Sequence, residues 1–189
     1  MRSDLLPETN RGKADEGRYY LILALMLVAI STLVKAYYIS LDAYELGTEG
    51  DEGARILYAA QLAKSGFDAP LHYLQDRWAD IHPPADVATR AYAFKLAFAL
   101  WPDTSPVRVA MSWSLALSAV GASLFVLASA MIAGGFSALV TSCLLAVSWS
   151  FQNPSLSGMG EGSVIAFFAL QIFLLVKGLL HKRDHLVLA

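Results

Sequence analysis

Apolar positions dominate four stretches of the chain and leave long polar stretches between them. Residues 19–34 carry no charge, and the apolar character continues past Lys35 to Leu41. From Val109 to Gly160 there are 52 consecutive residues with no Asp, Glu, Lys, Arg or His. A helix that crosses a bilayer needs about 20 apolar residues. The long run therefore predicts two spans and a turn, over 109–132 and 136–151, with Ala133-Gly134-Gly135 between them. A further span is predicted over 163–180. With the first segment, 19–41, this makes an all-α membrane protein of four transmembrane helices. A cleaved signal peptide is the competing reading of the first segment. It is disfavoured because the run is long and no small-x-small site follows it. Tyr19, Tyr20, Tyr37 and Tyr38 suit the two interfaces, and Lys35 is expected to snorkel to the headgroups.

The polar stretches organise the rest. Residues 1–18 hold both signs of charge and read as a mobile tail, and 181–189 form a second tail. Residues 42–106 make a 65-residue loop with ten acids and five Lys or Arg. Loops of this length are usually functional. Two helices are predicted within it. One covers 52–65, with Gly66 as its stop. The other runs over 84–101, where Val87, Ala91, Phe94, Phe98 and Trp101 step by four, three, four and three and so share a face. Arg90, Lys95 and Asp86 fall off that face. This pattern predicts a helix lying flat in the interface. The four Lys and Arg of the first tail and Lys177, Lys182 and Arg183 near the other end place both tails in the cytoplasm by the positive-inside rule. The acidic loop and the 152–161 connection then face outward.

Composition agrees. Hydrophobic residues make up 56% and charged residues 16%, against about 25% charged in a soluble domain. Mean hydropathy is +0.49 and net charge is −2. These values exclude a soluble globule, a disordered chain and a nucleic-acid binder. The single cysteine, Cys143, rules out an intrachain disulfide.

Candidate chemistry sits in the polar stretches. In Thr48-Glu49-Gly50-Asp51-Glu52-Gly53, three carboxylates fall within four residues. Such a group can act as a general base or hold a divalent cation. The same residues suit a plain helix start, with Asp51 as N-cap and Glu52 in the first turn. Ile81-His82-Pro83-Pro84 gives a rigid lead into the second loop helix. A plain helix start with a solvated His82 is the simpler reading. Glu161 is the only Asp, Glu, Lys, Arg or His between Arg108 and Lys177. A charge beside hydrocarbon suggests function, whereas a first-turn acid suggests a complement to the helix dipole. Arg108 starts the second span and can bind a lipid phosphate or merely anchor the helix. The small residues Ser112, Ser114, Ser118, Gly121 and Ser123 predict close helix packing.

The order of these parts resembles the N-terminal portion of the C-type (GT-C) integral-membrane glycosyltransferases. That family includes protein O-mannosyltransferases, the aminoarabinose transferase of lipid A and their bacterial relatives. The matching pieces are Asp51-Glu52-Gly53-Ala54-Arg55, His82-Pro83-Pro84, Ser105-Pro106-Val107-Arg108 and Leu144-Leu145-Ala146-Val147-Ser148-Trp149. In order they cover roughly residues 20–180. The resemblance implies inverting transfer of a sugar from a polyprenyl-phosphate lipid to an extracytoplasmic acceptor, in a bacterial inner membrane. It implies Asp51 as the catalytic base and Glu52 as its partner. His82, Arg90 or Arg108 would stabilise the leaving phosphate, with Glu161 bordering the same cleft. Two departures stand out. The 152–161 connection lacks the arginine usual in the family. Four spans are also fewer than the family's, which implies a truncated, split or repurposed member, with a further membrane subunit supplying the missing spans. The expectation from another class is a non-catalytic four-span subunit of a larger membrane complex.

Overall fold

The computed structural model describes residues 8–41, 51–64, 84–148 and 161–181, and all regular structure among them is α-helical. The elements are α1 (Glu8–Ser40), α2 (Asp51–Lys64), α3 (Pro84–Leu100), α4 (Pro106–Ala133), α5 (Gly135–Val147) and α6 (Glu161–His181). Among the described residues, three segments are long and apolar enough to cross a membrane: Asp15–Ser40, Pro106–Ala133 and Gly162–Leu180.

Two expectations change. The helix that carries the first span begins at Glu8, inside the stretch read as a mobile tail. Straight-chain residues such as Arg11, Lys13 and Glu16 favour helix, and Tyr20 donates a hydrogen bond to Glu16 one turn earlier at 3.2 Å. The segment expected to be a third span forms a helix of only 13 residues. At 1.5 Å per residue it is about 20 Å long, shorter than a hydrocarbon core of about 30 Å. Gly134 has φ +85°, a left-handed geometry that ends α4 and starts α5 sharply. The other end stops where Ser148 turns extended, its N–H still donating to the Leu144 carbonyl.

The chain divides into two compact units. The first comprises residues 1–33, 119–152 and 166–189; the second comprises 34–118 and 153–165.

In the first unit, α5 folds back along the end of α4. Thr141 donates to Ser129 Oγ at 2.9 Å, and the Ser129 and Ser137 hydroxyls lie 3.0 Å apart. Ser137 in turn donates to the Ser129 and Gly134 carbonyls. Hydroxyls without water bond to one another and to the backbone, and pairs of this kind across membrane helices contribute about 0.6 kcal/mol each. The α1 helix packs alongside, with Ala24, Val126 and Ala138 fully buried. Tyr20 meets Phe136 edge-on at 5.7 Å. A Cβ on Gly135 would strike the Gly17 carbonyl, so backbone lies on backbone there. Going from Gly17 to Ala24, α1 passes from the Gly134 turn to Val126, so α1 and α4 are antiparallel. Phe168 of α6 packs edge-on against Phe125 of α4.

In the second unit, α2 and α3 pack face to face. Ile56, Ala59, Ala60, Leu62 and Ala63 meet Ala91 and Phe94, with Val109 and Ala110 of the first turn of α4 in the same cluster. Burying Ile56 and Phe94 contributes about 1.5–3 kcal/mol each. Phe98 stacks on Phe94, and the Lys64 ammonium lies 5.8 Å from the Phe98 ring. Ile39 of α1 packs with Met111 and Leu115 of α4. Gly162 of α6 touches Ser114, where a Cβ would lie 2.7 Å from the Ser114 carbonyl oxygen.

That contact yields a paired prediction. Backbone cannot yield to an added methyl, so Gly162→Ala should destabilise by about 1–3 kcal/mol. Gly17 has open space where its Cβ would be, so Gly17→Ala should be neutral or stabilising by up to about 1 kcal/mol. Thermal unfolding of the two variants in detergent, followed by circular dichroism, reads the opposite signs.

Candidate functional site

The expected site residues sort by helix. Asp51 and Glu52 are the first two residues of α2. Backbone N–H groups at a helix start favour negative charge, so two acids in this turn suit it. Glu161 opens α6 in the same way. The side chains of these three acids lie outside the described residues, as does His82.

Arg90 is described and differs from expectation. It was placed off the apolar face of α3, yet it is 2% exposed. At 3.6 residues per turn, Arg90 stands about 40° from Phe94. The buried face is therefore Arg90, Ala91, Phe94, with Ala97 and Phe98 beside them. A stepping pattern built only on apolar residues skipped the arginine. Its burial takes the guanidinium out of water along with the stem, a cost that packing and polar partners must offset. Trp101, assigned to the same face, is instead exposed just past the end of α3. There its N–H donates to Ala97 at 2.7 Å, and Pro102 blocks any further turn.

Lys35 also departs from expectation. It is 9% exposed, so it does not snorkel out to headgroups. Ile39, one turn further on and on the same side of α1, packs on Met111 and Leu115, and this seam of the second unit draws the lysine inward. The sequence carried a signal for this, since Lys35 and Ile39 are four apart on one helical face.

Arg108 is exposed at the start of α4. It lines an open cleft of about 520 Å³ with Leu100, Trp101, Pro102, Asp103 and Thr104. The α4 helix begins at Pro106, a favoured first helical position, and the Val109 N–H donates to the Ser105 carbonyl at 3.1 Å. Two polar atoms of α4 are buried without a hydrogen-bond partner among the described residues, the Ser118 hydroxyl and the Trp113 indole nitrogen. Among the described residues, no three His, Cys, Asp or Glu side chains gather as a metal site.

The second unit thus holds α2 with Asp51 and Glu52 at its start, the buried Arg90 of α3, Arg108 in the first turn of α4, and Glu161 next to the Gly162–Ser114 contact. All of these lie in the same unit, and of the two arginines one is buried and one exposed. The two arginines should respond differently to charge reversal. Arg90→Glu puts a carboxylate into a packed face and should cost about 3 kcal/mol or more. Arg108→Glu should change stability by no more than about 0.5 kcal/mol. Thermal melts of both variants check this.

No described family, no characterised protein and no solved structure matches the chain.

Proposed function

We propose that the chain is a membrane glycosyltransferase of the GT-C type, or a segment of one. It uses a polyprenyl-phosphate sugar and an acceptor hydroxyl outside the cytoplasm. The observation that carries this reading is that one compact unit holds the acid-led helix α2, Arg90, Arg108 and the start of α6. Asp51 takes the acceptor proton as the acceptor oxygen forms its bond to the anomeric carbon. The bond from that carbon to the phosphate oxygen breaks, inverting the centre, and polyprenyl phosphate leaves. Glu52 orients Asp51. His82, Arg90 or Arg108 neutralises the departing phosphate, and Glu161 borders the cleft. The Asp51–Glu52 pair can also hold a divalent cation.

Four crossings fit this reading. In the first unit Phe168 pairs with Phe125, and Ile172 shares a groove with Ala128, Ser129 and Ile132. Residue numbers rise together along α4 and α6, which supports parallel helices. Parallel spans need a return between them, which this reading assigns to the segment that joins α4 to α6. With the basic residues at both ends, this supports cytoplasmic tails and an outward 42–106 loop in a bacterial inner membrane. A second reading, a non-catalytic subunit of a larger complex, draws on the same groove. It is about 440 Å³, mostly apolar and lined by α4, α5 and Ile172, a shape suited to a neighbouring helix.

Two experiments test the proposal. Asn keeps the shape of Asp and nearly its helix propensity but cannot accept the proton. Asp51→Asn should therefore lower transfer from a polyprenyl-phosphate hexose by about 10²–10⁴-fold with an unchanged melting temperature. Unchanged turnover removes Asp51 from the mechanism. For the topology, Gln61→Cys in a Cys143→Ser background should react with a membrane-impermeant maleimide in intact spheroplasts. Reaction only after lysis puts the loop inside and defeats the outward site.

A further inference from the structure

The α3 helix has two apolar sides, and α2 covers only one. Ala91 and Phe94 face α2 and are buried, together with Arg90. Tyr92 is 48% exposed, Leu96 64% and Leu100 58%, and Trp101 just beyond is 65% exposed. At about 100° per residue, Leu96 and Leu100 stand about 40° and 80° from Tyr92, and this stripe is nearly opposite Phe94 and Phe98. The stripe is therefore not the one that apolar spacing picked out. The residues expected to meet the membrane, Ala91, Phe94 and Phe98, are taken up by α2.

The level of the stripe is fixed by the chain. The cluster that buries Phe94 includes Val109 and Ala110, in the first turns of a helix long and apolar enough to cross a membrane. Arg108, just before them, is the last charged residue ahead of 52 that carry none. The C-terminal end of α3 is thus tied by five residues, 101–105, to the boundary between water and hydrocarbon. Lys95 flanks the stripe. Trp101, Asp103, Thr104 and Arg108 line the cleft at its end. An apolar stripe at this level, with Tyr92 on it, Trp101 just past the helix end and cations at its border, matches an anionic lipid surface: acyl chains for Leu96 and Leu100, the headgroup zone for Tyr92, and lipid phosphate for Lys95 and Arg108.

We infer that α3 is a membrane-surface helix whose Tyr92–Leu96–Leu100 face lies in the lipid interface, while its opposite face carries α2. The inference does not rest on sugar transfer. Either can fail alone.

The test uses the full chain with Cys143→Ser and single cysteines at Tyr92, Leu96 or Leu100, each labelled with an environment-sensitive NBD dye. Nanodiscs of phosphatidylcholine and phosphatidylglycerol are loaded with one copy each. Gln61→Cys, on an exposed position of α2, is the reference. The inference expects blue-shifted emission at 96 and 100 relative to 61, with strong loss of signal when shallow doxyl lipids are included. Water-like, unquenched emission at both positions overturns it. A blue shift seen only in discs holding several copies also overturns it, because a second copy would then be the occupant. Leu96 and Leu100 are exposed, so labelling there leaves the α2–α3 packing in place, and retained helicity by circular dichroism confirms that each reading comes from folded protein.

Discussion

Hydrocarbon offers a polypeptide no hydrogen-bond partner, and each backbone amide left bare there costs several kcal/mol. For a chain with 52 successive residues free of charge, that constraint settles the secondary structure. Helix satisfies every interior amide, so α1, α4 and α6 are long and unbroken. The same scarcity governs the side chains. Thr32 and Ser123 each donate to a carbonyl one turn back, and Thr141, Ser129 and Ser137 bond in a row between α4 and α5. Where helices touch, glycine and serine let backbones approach, as at Gly162 and Ser114.

The 42–106 stretch answers to a different balance. Its helices α2 and α3 are too short to span and too apolar to stand alone. They solve this by burying one face of each against the other and against the first turns of α4. That packing ties the body of α2 to the first turns of a helix long and apolar enough to cross a membrane. The exposed side of α3 then meets a surface with no fixed structure, and its requirements are apolar area and a basic border rather than shape.

The spans were legible because charge is forbidden in hydrocarbon, so a run of uncharged residues marks a span almost by itself. Residues 106–133 and 162–180 follow that logic. Residues 135–147 show where it stops: lack of charge cannot tell how far a helix extends before the backbone turns extended, as it does at Ser148. The loop helices were legible from periodicity, but the orientation of α3 was not. Apolar residues lie all round it, and which side α2 covers depends on tertiary packing that no local pattern encodes. Arg90 and Lys35 were misplaced for a related reason. Charge in a sequence suggests exposure, whereas both side chains are buried in tertiary packing that local sequence does not encode. The acids at 51, 52 and 161 remain what local sequence made them, residues at helix starts that fit both a capping and a chemical role.

The tyrosines of α1 have one more consequence. Tyr19 and Tyr37 are both exposed and stand 18 residues apart, about 27 Å along the helix axis. Aromatic rings that prefer the headgroup zone act at that separation as a ruler. A thicker bilayer would drag one pair of rings into the acyl region or force the lipids to compress around the helix, each at a fraction of a kcal/mol per Å. Lipid composition therefore acts on this chain as a sorting force, favouring residence in membranes of matching thickness over those stiffened and thickened by sterols.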